Sequence, residues 1–417
     1  MITLPSGRLT GRLRVPGSKS LTNRALVAAS LAPGRSELVD PLDCDDTRVL
    51  AEALGRLGAA VRRGARSWIV EGPLTGAPGG ERTFDGGPAG TPARFLLALM
   101  AALPGKFVLD GSSRMRERPM GPLVEALASR GARIEPLGRE GFLPLRIEGG
   151  TLGAGTLSIR SDVSSQFVSA LLLASPAVAG GLDVRTEGRA ASGAYVELTR
   201  RVLAVFAPEG RPRPARYVVP ADDSAACFPI AGALASRGSV ELEGLDPHSV
   251  QPDAVFRRWA AAAGGALRWE GSGEAAVLVV EGAAHRGLEA DVDPAPDAAL
   301  PLAALVAFAG GASRLRGVAR LREKESDRLA AAEDLLARAG AEARVEAESG
   351  EEGLLVDGPR GRPVRADFRA WGDHRVAMAA AVLALSLPEG STLDDPGVVS
   401  KSYPAFWGDW RSLVSTR

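Results

Sequence analysis

Pro16-Gly17-Ser18-Lys19-Ser20-Leu21-Thr22-Asn23-Arg24 leads straight into an apolar run from Ala25 to Ala32. Pro-Gly ends a strand and makes a turn, and Ser18 or Ser20 can cap the helix that follows. Lys19 and Arg24 then fall in or near its first turn. A helix N-terminus already carries about half a positive charge, so cations there are disfavoured unless an anion lies between them. The stretch reads as an anion site for a phosphate or a carboxylate. The plainer reading is a solvated lysine on a turn.

The pattern recurs. Ser18, Thr91, Ser164, Asp223, Asp297 and Asp373 each open an Ala/Leu/Val-rich run that ends in Gly and a short strand. The spacings between these anchors are 73, 73, 59, 74 and 76 residues. The runs are Ala25 to Ala32, Phe95 to Leu103, Phe167 to Ala174, Ala225 to Ala235, Ala298 to Ala309 and Val376 to Leu387. A helix apolar on every side must be enclosed by protein. Between the runs lie amphipathic segments, Thr47 to Leu57, Pro119 to Ala128, Tyr195 to Phe206, Asp253 to Ala262, Ser326 to Ala339 and Tyr403 to Leu413. The first places Leu50, Leu54 and Leu57 on one face, and the second has Leu123 and Leu127 at i, i+4.

Six buried helices with polar starts predict an α/β chain of two domains. Each domain has three units of inner helix, outer helix and strands, with parallel inner helices whose dipoles sum at one surface. An ordinary doubly wound α/β protein with coincidental spacing is the alternative. The Pro-rich Arg211-Pro212-Arg213-Pro214 marks a boundary between the third and fourth units. Residues 1–16 hold the strand-like Gly11-Arg12-Leu13-Arg14-Val15 and no helix, and suit either domain.

With 417 residues the chain has length for two or three domains. Lys plus Arg and Asp plus Glu both number 50, which argues against a general nucleic-acid or membrane-surface binder. Cys44 and Cys227 lie far apart without CxxC spacing, so neither a disulfide framework nor a zinc site is expected, and a reducing cytoplasm fits. The N-terminal residues lack the apolar core of a leader, so the fold is expected to start at the N-terminus. No apolar run reaches the ~18 residues of a membrane span.

Polar groups at the inner-helix starts are expected to converge on a cleft. Lys19, Arg24, Arg94 and Arg375 come from these starts, while Arg118, Lys324, Arg328 and Lys401 come from polar loops. Each alone reads as a surface charge. Together they suit substrates with several phosphates and carboxylates. Asp297 and Glu325 are candidate acid/base groups, although Asp297 also reads as a helix cap and Glu325 as a solvated first-turn carboxylate. His374 is one of three histidines, which form no metal-binding cluster in the sequence. Asp43, Asp45 and Asp46 read as helix N-capping rather than a metal site. Gly86-Gly87-Pro88-Ala89-Gly90-Thr91 lacks the GxxxxGK[ST] form of a P-loop.

Six motifs then resemble, end to end and in order, the 5-enolpyruvylshikimate-3-phosphate synthase (3-phosphoshikimate 1-carboxyvinyltransferase) family. They are Pro16 to Arg24, Ala89-Gly90-Thr91, Arg116 to Gly121, Asp162 to Phe167, Lys324 to Arg328 and Asp373-His374-Arg375. The resemblance implies an enolpyruvyl transferase-like fold, an inverse α/β barrel of two domains with three βαβαββ units each. One domain would be 17–220. The other would be 1–16 with 221–417 and would carry the acid/base groups.

The implied reaction transfers the enolpyruvyl group of phosphoenolpyruvate to the 5-hydroxyl of shikimate 3-phosphate, in the shikimate pathway to aromatic amino acids. The implied shikimate 3-phosphate contacts are Lys19, Ser20, Arg24, Ser164, Ser165, Gln166, Ser192, Tyr195, Asp297 and Lys324. Those implied for phosphoenolpyruvate are Lys19, Gly90, Arg118, Gln166, Arg328, His374, Arg375 and Lys401. Asp297, Glu325 and Lys19 would be catalytic, with Asp297 as base for the hydroxyl and Glu325 as proton donor to the methylene carbon. No metal or organic cofactor is implied, and no nucleic-acid or membrane partner; a cytoplasmic monomer is expected. Two positions depart from the family's usual Asn, namely Pro88 and Arg320. The alternatives are a UDP-N-acetylglucosamine enolpyruvyl transferase, whose usual loop cysteine is absent from Arg114 to Gly121, and a catalytically impaired binding paralogue.

Overall fold

The computed structural model describes residues 1–160, 164–187, 193–348, 351–359 and 364–415. The chain forms two compact units, residues 1–16 with 220–417 and residues 17–219. Three inner helices lie in each. In 17–219 they are Lys19–Leu31, Gly90–Ala102 and Ser165–Ala174, the first to third. In the other unit they are Asp223–Ser236, Ala299–Val306 and His374–Ala384, the fourth to sixth. Every residue from Leu21 to Leu31 is buried, and so is every residue from Ala299 to Val306. Ala dominates these helices because small side chains let an enclosed helix be approached from all sides, and Ala loses no rotamer entropy. Gly232 is an extreme case: a Cβ there would lie 2.6 Å from the Trp410 ring.

The expected caps are met in part. Ser164 and Asp373 cap their helices, accepting from the amides of Gln166 and Arg375. At the fourth helix the cap is Asp222, one residue before the expected Asp223. Ser18 stands at the N-cap position but takes no cap hydrogen bond, and its buried hydroxyl has no partner among the described residues. Asp297 is not a cap, because it lies in a 3-10 turn, Pro296–Ala298, that precedes the fifth helix. Cys44, not an aspartate, takes the N-cap of the outer helix Asp45–Arg56, in a capping box with Thr47. Three outer helices begin later than their amphipathic pattern. They are Phe256–Ala262, Arg328–Arg338 and Phe406–Leu413, and the first follows a 3-10 turn that starts at Pro252.

Sheet topology repeats. Ala77–Asp85 pairs parallel with Gly105–Asp110 around the second inner helix, and a hairpin of Arg133–Pro136 and Leu145–Gly149 completes that sheet antiparallel. Glu289–Asp291 and Ser313–Arg316 do the same around the fifth, with Ala341–Glu348 and Glu351–Pro359 as the hairpin. The first and fourth helices break the pattern by exchange. Arg8–Arg14 precedes the first helix in sequence but pairs parallel with Ser239–Glu243, the strand after the fourth. Arg216–Val218 precedes the fourth helix but pairs parallel with Gly34–Val39, the strand after the first. Each unit thus borrows its opening strand from the far side of a crossover, at Pro16/Gly17 and Val219/Pro220.

Helix packing differs between the units. The fourth, fifth and sixth helices pack on one another, all three pairs in contact. In 17–219 the second and third pack together, while the first rests chiefly on the outer helices Asp45–Arg56 and Gly193–Phe206.

Candidate active site

In residues 17–219 the polar side chains gather at the starts of the inner helices. Lys19 donates to Asp46 Oδ2 at 2.9 Å, and the Asp46 side chain is buried. One turn on, Arg24 is enclosed. It donates to Thr199 Oγ1 (2.7 Å), the Ser20 carbonyl (2.8 Å), Ser169 Oγ (3.2 Å) and the Tyr195 carbonyl (3.2 Å). The rings of Phe95 and Tyr195 lie at 5.6 and 5.9 Å from its guanidinium carbon. No carboxylate is among these partners, and burial lowers the guanidinium pKa to about 10. Arg94 joins the second helix to the third, donating to Gln166 Oε1 at 2.5 Å and Ser164 Oγ at 3.4 Å, over the Phe167 ring. Gly90 completes this group. A Cβ there would meet Gln166 Oε1 at 2.8 Å, Arg94 Nη1 at 3.0 Å and Arg118 Nη2 at 3.1 Å, so only glycine leaves the approach open. Ser165 is buried in the first turn of its helix.

In the other unit the corresponding surface is an ion-pair network centred on Arg328, whose side chain is 1% exposed. Arg328 donates to Asp297 Oδ1 (2.7 Å), Glu325 Oε2 (2.9 Å) and Asp373 Oδ2 (2.8 Å). Asp297 also faces Arg375 at 3.3 Å and Lys324 at 3.5 Å, and its carbonyl accepts from Arg375 at 3.1 Å. Lys401 donates to Glu325 Oε1 at 2.9 Å. Asp373 is the pivot on the far side: it caps the sixth helix through the Arg375 amide and accepts from Ser326 at 3.2 Å. His374 is buried beside it, with Nδ1 at 3.6 Å from Asp373 Oδ1. Four cations therefore face three carboxylates.

Burial alone would raise the Asp297 pKa. Arg375, Lys324 and Arg328 outweigh burial and hold the carboxyl well below the usual carboxylate range. Burial alone would lower that of Arg328; Asp373, Glu325 and Asp297 push it above the ordinary value. The arrangement can bind a polyanion, which competes for the cations, and it can move protons through the carboxylates so released.

The structure brings Asp297, Lys324, Glu325, Arg328, His374, Arg375 and Lys401 together in one unit. In the other it gathers Ser20, Arg24 and Tyr195 in one cluster and Gly90, Arg118, Ser164 and Gln166 in a second, with Lys19 on Asp46. Ser192 and the Asp162-Val163 part of its motif lie outside the described residues. Five residues carry more than the sequence assigned to them. Arg94 fixes Gln166, Asp46 fixes Lys19, Thr199 and Ser169 hold Arg24, and Asp373 holds Arg328. Arg94 and Asp373 were visible as polar groups at helix starts. Thr199 and Ser169 gave no signal beyond being hydroxyls among the apolar residues of their helices. Arg320, at a departure from the family pattern, lies 3.4 Å from Asp293.

A sequence model of the EPSP synthase (3-phosphoshikimate 1-carboxyvinyltransferase) family matches residues 4–410. The 3-phosphoshikimate 1-carboxyvinyltransferase of Syntrophobacter fumaroxidans is 37% identical, over 99% of this chain and 99% of its own. That of Bordetella avium is 36% identical over 97% and 96%. Among solved structures, EPSP synthase from Acinetobacter baumannii aligns with a TM-score of 0.77 at 23% identity, covering 99% of this chain and 98% of that one. The enolpyruvyl transferase NikO from Streptomyces tendae aligns with a TM-score of 0.75 at 18% identity, covering 99% and 96%. These two likenesses bear on the fold and identify it as the enolpyruvyl transferase α/β architecture. With the family match spanning nearly the whole length and full-length relatives above a third identical, the chain belongs to the EPSP synthase (3-phosphoshikimate 1-carboxyvinyltransferase) family.

Proposed function

We propose that the chain transfers the enolpyruvyl group of phosphoenolpyruvate to the 5-hydroxyl of shikimate 3-phosphate, with the side chains above in distinct roles. Family membership makes it a transferase of the shikimate pathway to aromatic amino acids; the UDP-sugar and impaired-paralogue readings are not favoured. The observation that carries the assignment of roles is the Arg328 network, in which two candidate proton carriers, Asp297 and Glu325, share one buried cation.

A carboxylate held by three cations is ionised but weakly basic. The phosphate and carboxylate of phosphoenolpyruvate would draw Arg328, Arg375 and Lys401 towards themselves, with Arg118 and the Gly90 backbone assisting. Losing those partners makes Asp297 and Glu325 more basic. Glu325 then takes a proton and delivers it to the methylene carbon. Asp297, with Lys324 beside it, accepts the proton of the 5-hydroxyl as its oxygen bonds to C2. The tetrahedral adduct collapses when Glu325 takes a proton back from the methyl group and the C2–O bond to phosphate breaks. Shikimate 3-phosphate would be held by Lys19, Ser20, Arg24, Ser164, Ser165, Gln166, Ser192 and Tyr195. Lys19 would touch both substrates.

Among the described residues no helix is long and apolar enough to cross a membrane. The reading includes a cytoplasmic monomer whose partners are its two small-molecule substrates, working without metal or organic cofactor. The test is phosphate release on mixing the protein with phosphoenolpyruvate and shikimate 3-phosphate. Release is expected with that pair. Release with a UDP-sugar acceptor alone, or tight shikimate 3-phosphate binding without release, would overturn the reading.

A further inference from the structure

The ends of the fourth, fifth and sixth inner helices opposite the Arg328 network border a second feature, open to solvent where Arg8 and Arg237 are exposed. There a cavity of about 480 Å³ is lined by Arg8, Leu234, Arg237, Ala284, Leu305 and Phe308, with Ala235, Ser236, Pro359 and Ser386 completing the wall. The Ser386 hydroxyl donates to the Ala235 carbonyl at 3.1 Å, which ties the C-terminal ends of the sixth and fourth helices together. The volume lies within the range of small-molecule sites, about 300–1,000 Å³.

The charge in the cavity is one-sided. Among the described residues its two ionisable side chains, Arg8 and Arg237, are both cations, and no carboxylate is in the lining. Neither guanidinium has a hydrogen-bond or ion-pair partner among the described residues, whereas Arg12, Arg257, Arg268 and Arg316 in the same unit are all paired with acids. Cations at helix C-termini usually serve as caps for the last carbonyls. That explanation fails here, because protein donors already occupy those carbonyls. Leu234 accepts from the Ala284 amide at 3.2 Å, Ala235 from Ser386, and Leu385 from the Gly7 amide at 3.2 Å. Arg237 also sits at φ +59°, in the left-handed region, where glycine is the usual residue. A side chain is kept there at a conformational cost that glycine would not incur.

We propose that this cavity is a second binding site, separate from the substrate-binding side chains, for a small amphipathic carboxylate. The carboxylate takes Arg8 and Arg237, where guanidinium forks suit its two oxygens. A ring-sized apolar body lies against Leu234, Leu305 and Phe308.

The probe is 3-phenylpropionate, titrated calorimetrically into the full chain in the presence and absence of saturating shikimate 3-phosphate. A Kd below about 1 mM is expected, the same in both conditions. The uncharged 3-phenyl-1-propanol should bind about tenfold more weakly, as should the acid to Arg8→Gln or Arg237→Gly, since a charge-assisted contact is lost in each case. Arg237→Gly suits the left-handed backbone, so the variant should stay folded and keep the substrate KM values of the wild type. Equal binding of acid and alcohol, unchanged binding to both arginine variants, or displacement by shikimate 3-phosphate would each overturn the proposal.

Discussion

The two units present the same kind of surface, the starts of three inner helices, and fill it in opposite ways. In 17–219 the most enclosed cation among the described residues, Arg24, is held by hydroxyls and carbonyls. In the other unit the most enclosed cation among the described residues, Arg328, is held by three acids. Packing follows. The fourth to sixth helices close on one another, whereas the first touches the second and third only lightly, and the Arg24 side chain reaches Ser169 of the third helix and Thr199 of an outer one. A guanidinium without an acid keeps its charge for an incoming anion. A guanidinium with three acids gives up part of that attraction and gains groups that can carry protons. In the proposed reaction, the first surface would do the holding and the second the proton transfer.

The largest test of this contrast is Glu325→Gln. The amide keeps the shape and loses the proton chemistry, so kcat should fall about 10²–10⁴-fold while shikimate 3-phosphate affinity stays close to wild type, read by phosphate release and by equilibrium titration. A variant with near-normal turnover would remove the proton-transfer half of the comparison.

A paired substitution comes next. Arg328→Met leaves Asp297, Glu325 and Asp373 facing one another in a buried site and should cost about 3–5 kcal/mol. Arg24→Met strands only neutral groups, two of which, Thr199 and Ser169, still bond each other at 2.9 Å, and should cost about 1–2 kcal/mol while weakening shikimate 3-phosphate binding. Urea unfolding of both reads the difference; equal losses would erase it.

The pH dependence gives a smaller effect. The Asp297 pKa in the folded protein is depressed, so its stabilising contribution is fully present above the unfolded value of about 3.9. It is lost as pH falls from there through the lower folded value. The stability gap between wild type and Asp297→Asn should therefore be constant from pH 7 to about 5 and shrink below about 4, in urea midpoints taken across that range. A gap that grew on acidification would reverse the sign argued here.

The smallest expected effect is in the holding surface. Gly90→Ala places a methyl group 2.8–3.1 Å from Gln166, Arg94 and Arg118. The phosphoenolpyruvate KM should rise about tenfold with kcat much less changed, the mark of lost uniform binding. A change confined to kcat would place Gly90 elsewhere in the reaction.

The sequence carried the six inner helices because a run that is apolar on every side with a polar start has few other solutions. It carried the Arg328 network as a set of names, since Asp297, Glu325, Arg328 and Asp373 were each marked by position or motif. Which acid meets which cation was not legible. Arg94 and Gln166 are 72 residues apart, and Arg24 and Thr199 are 175 apart. Such pairings depend on rotamers across helix faces, which spacing along the chain does not encode. Asp297 looked like a cap because an Asp before an apolar run usually is one. Here a proline-led 3-10 turn moves it off the helix axis and leaves its oxygens for Arg328, Arg375 and Lys324. The cavity at the other end was invisible, because Arg8 and Arg237 carry no pattern in a chain with many arginines. The strand exchange was hidden for a related reason: short alternating strands fit either partner, and residues 1–16 suited both units.

That exchange sets a timetable for synthesis. Residues 17–219 have all their strands once Arg216–Val218 has left the ribosome. The strand Arg8–Arg14 is made ahead of that whole unit, yet its partners arrive only with Ser239–Glu243 and Val414–Ser415. At about 5–20 residues per second it waits roughly 10–50 s for the first of them. A bare strand over that interval is a template for pairing with another nascent chain. Its sequence, Arg-Leu-Thr-Gly-Arg-Leu-Arg, places three arginines among two leucines, and such charges discourage association in transit. A strand made before residues 17–219 is thus among the last to find its place, and its arginines double as its escort.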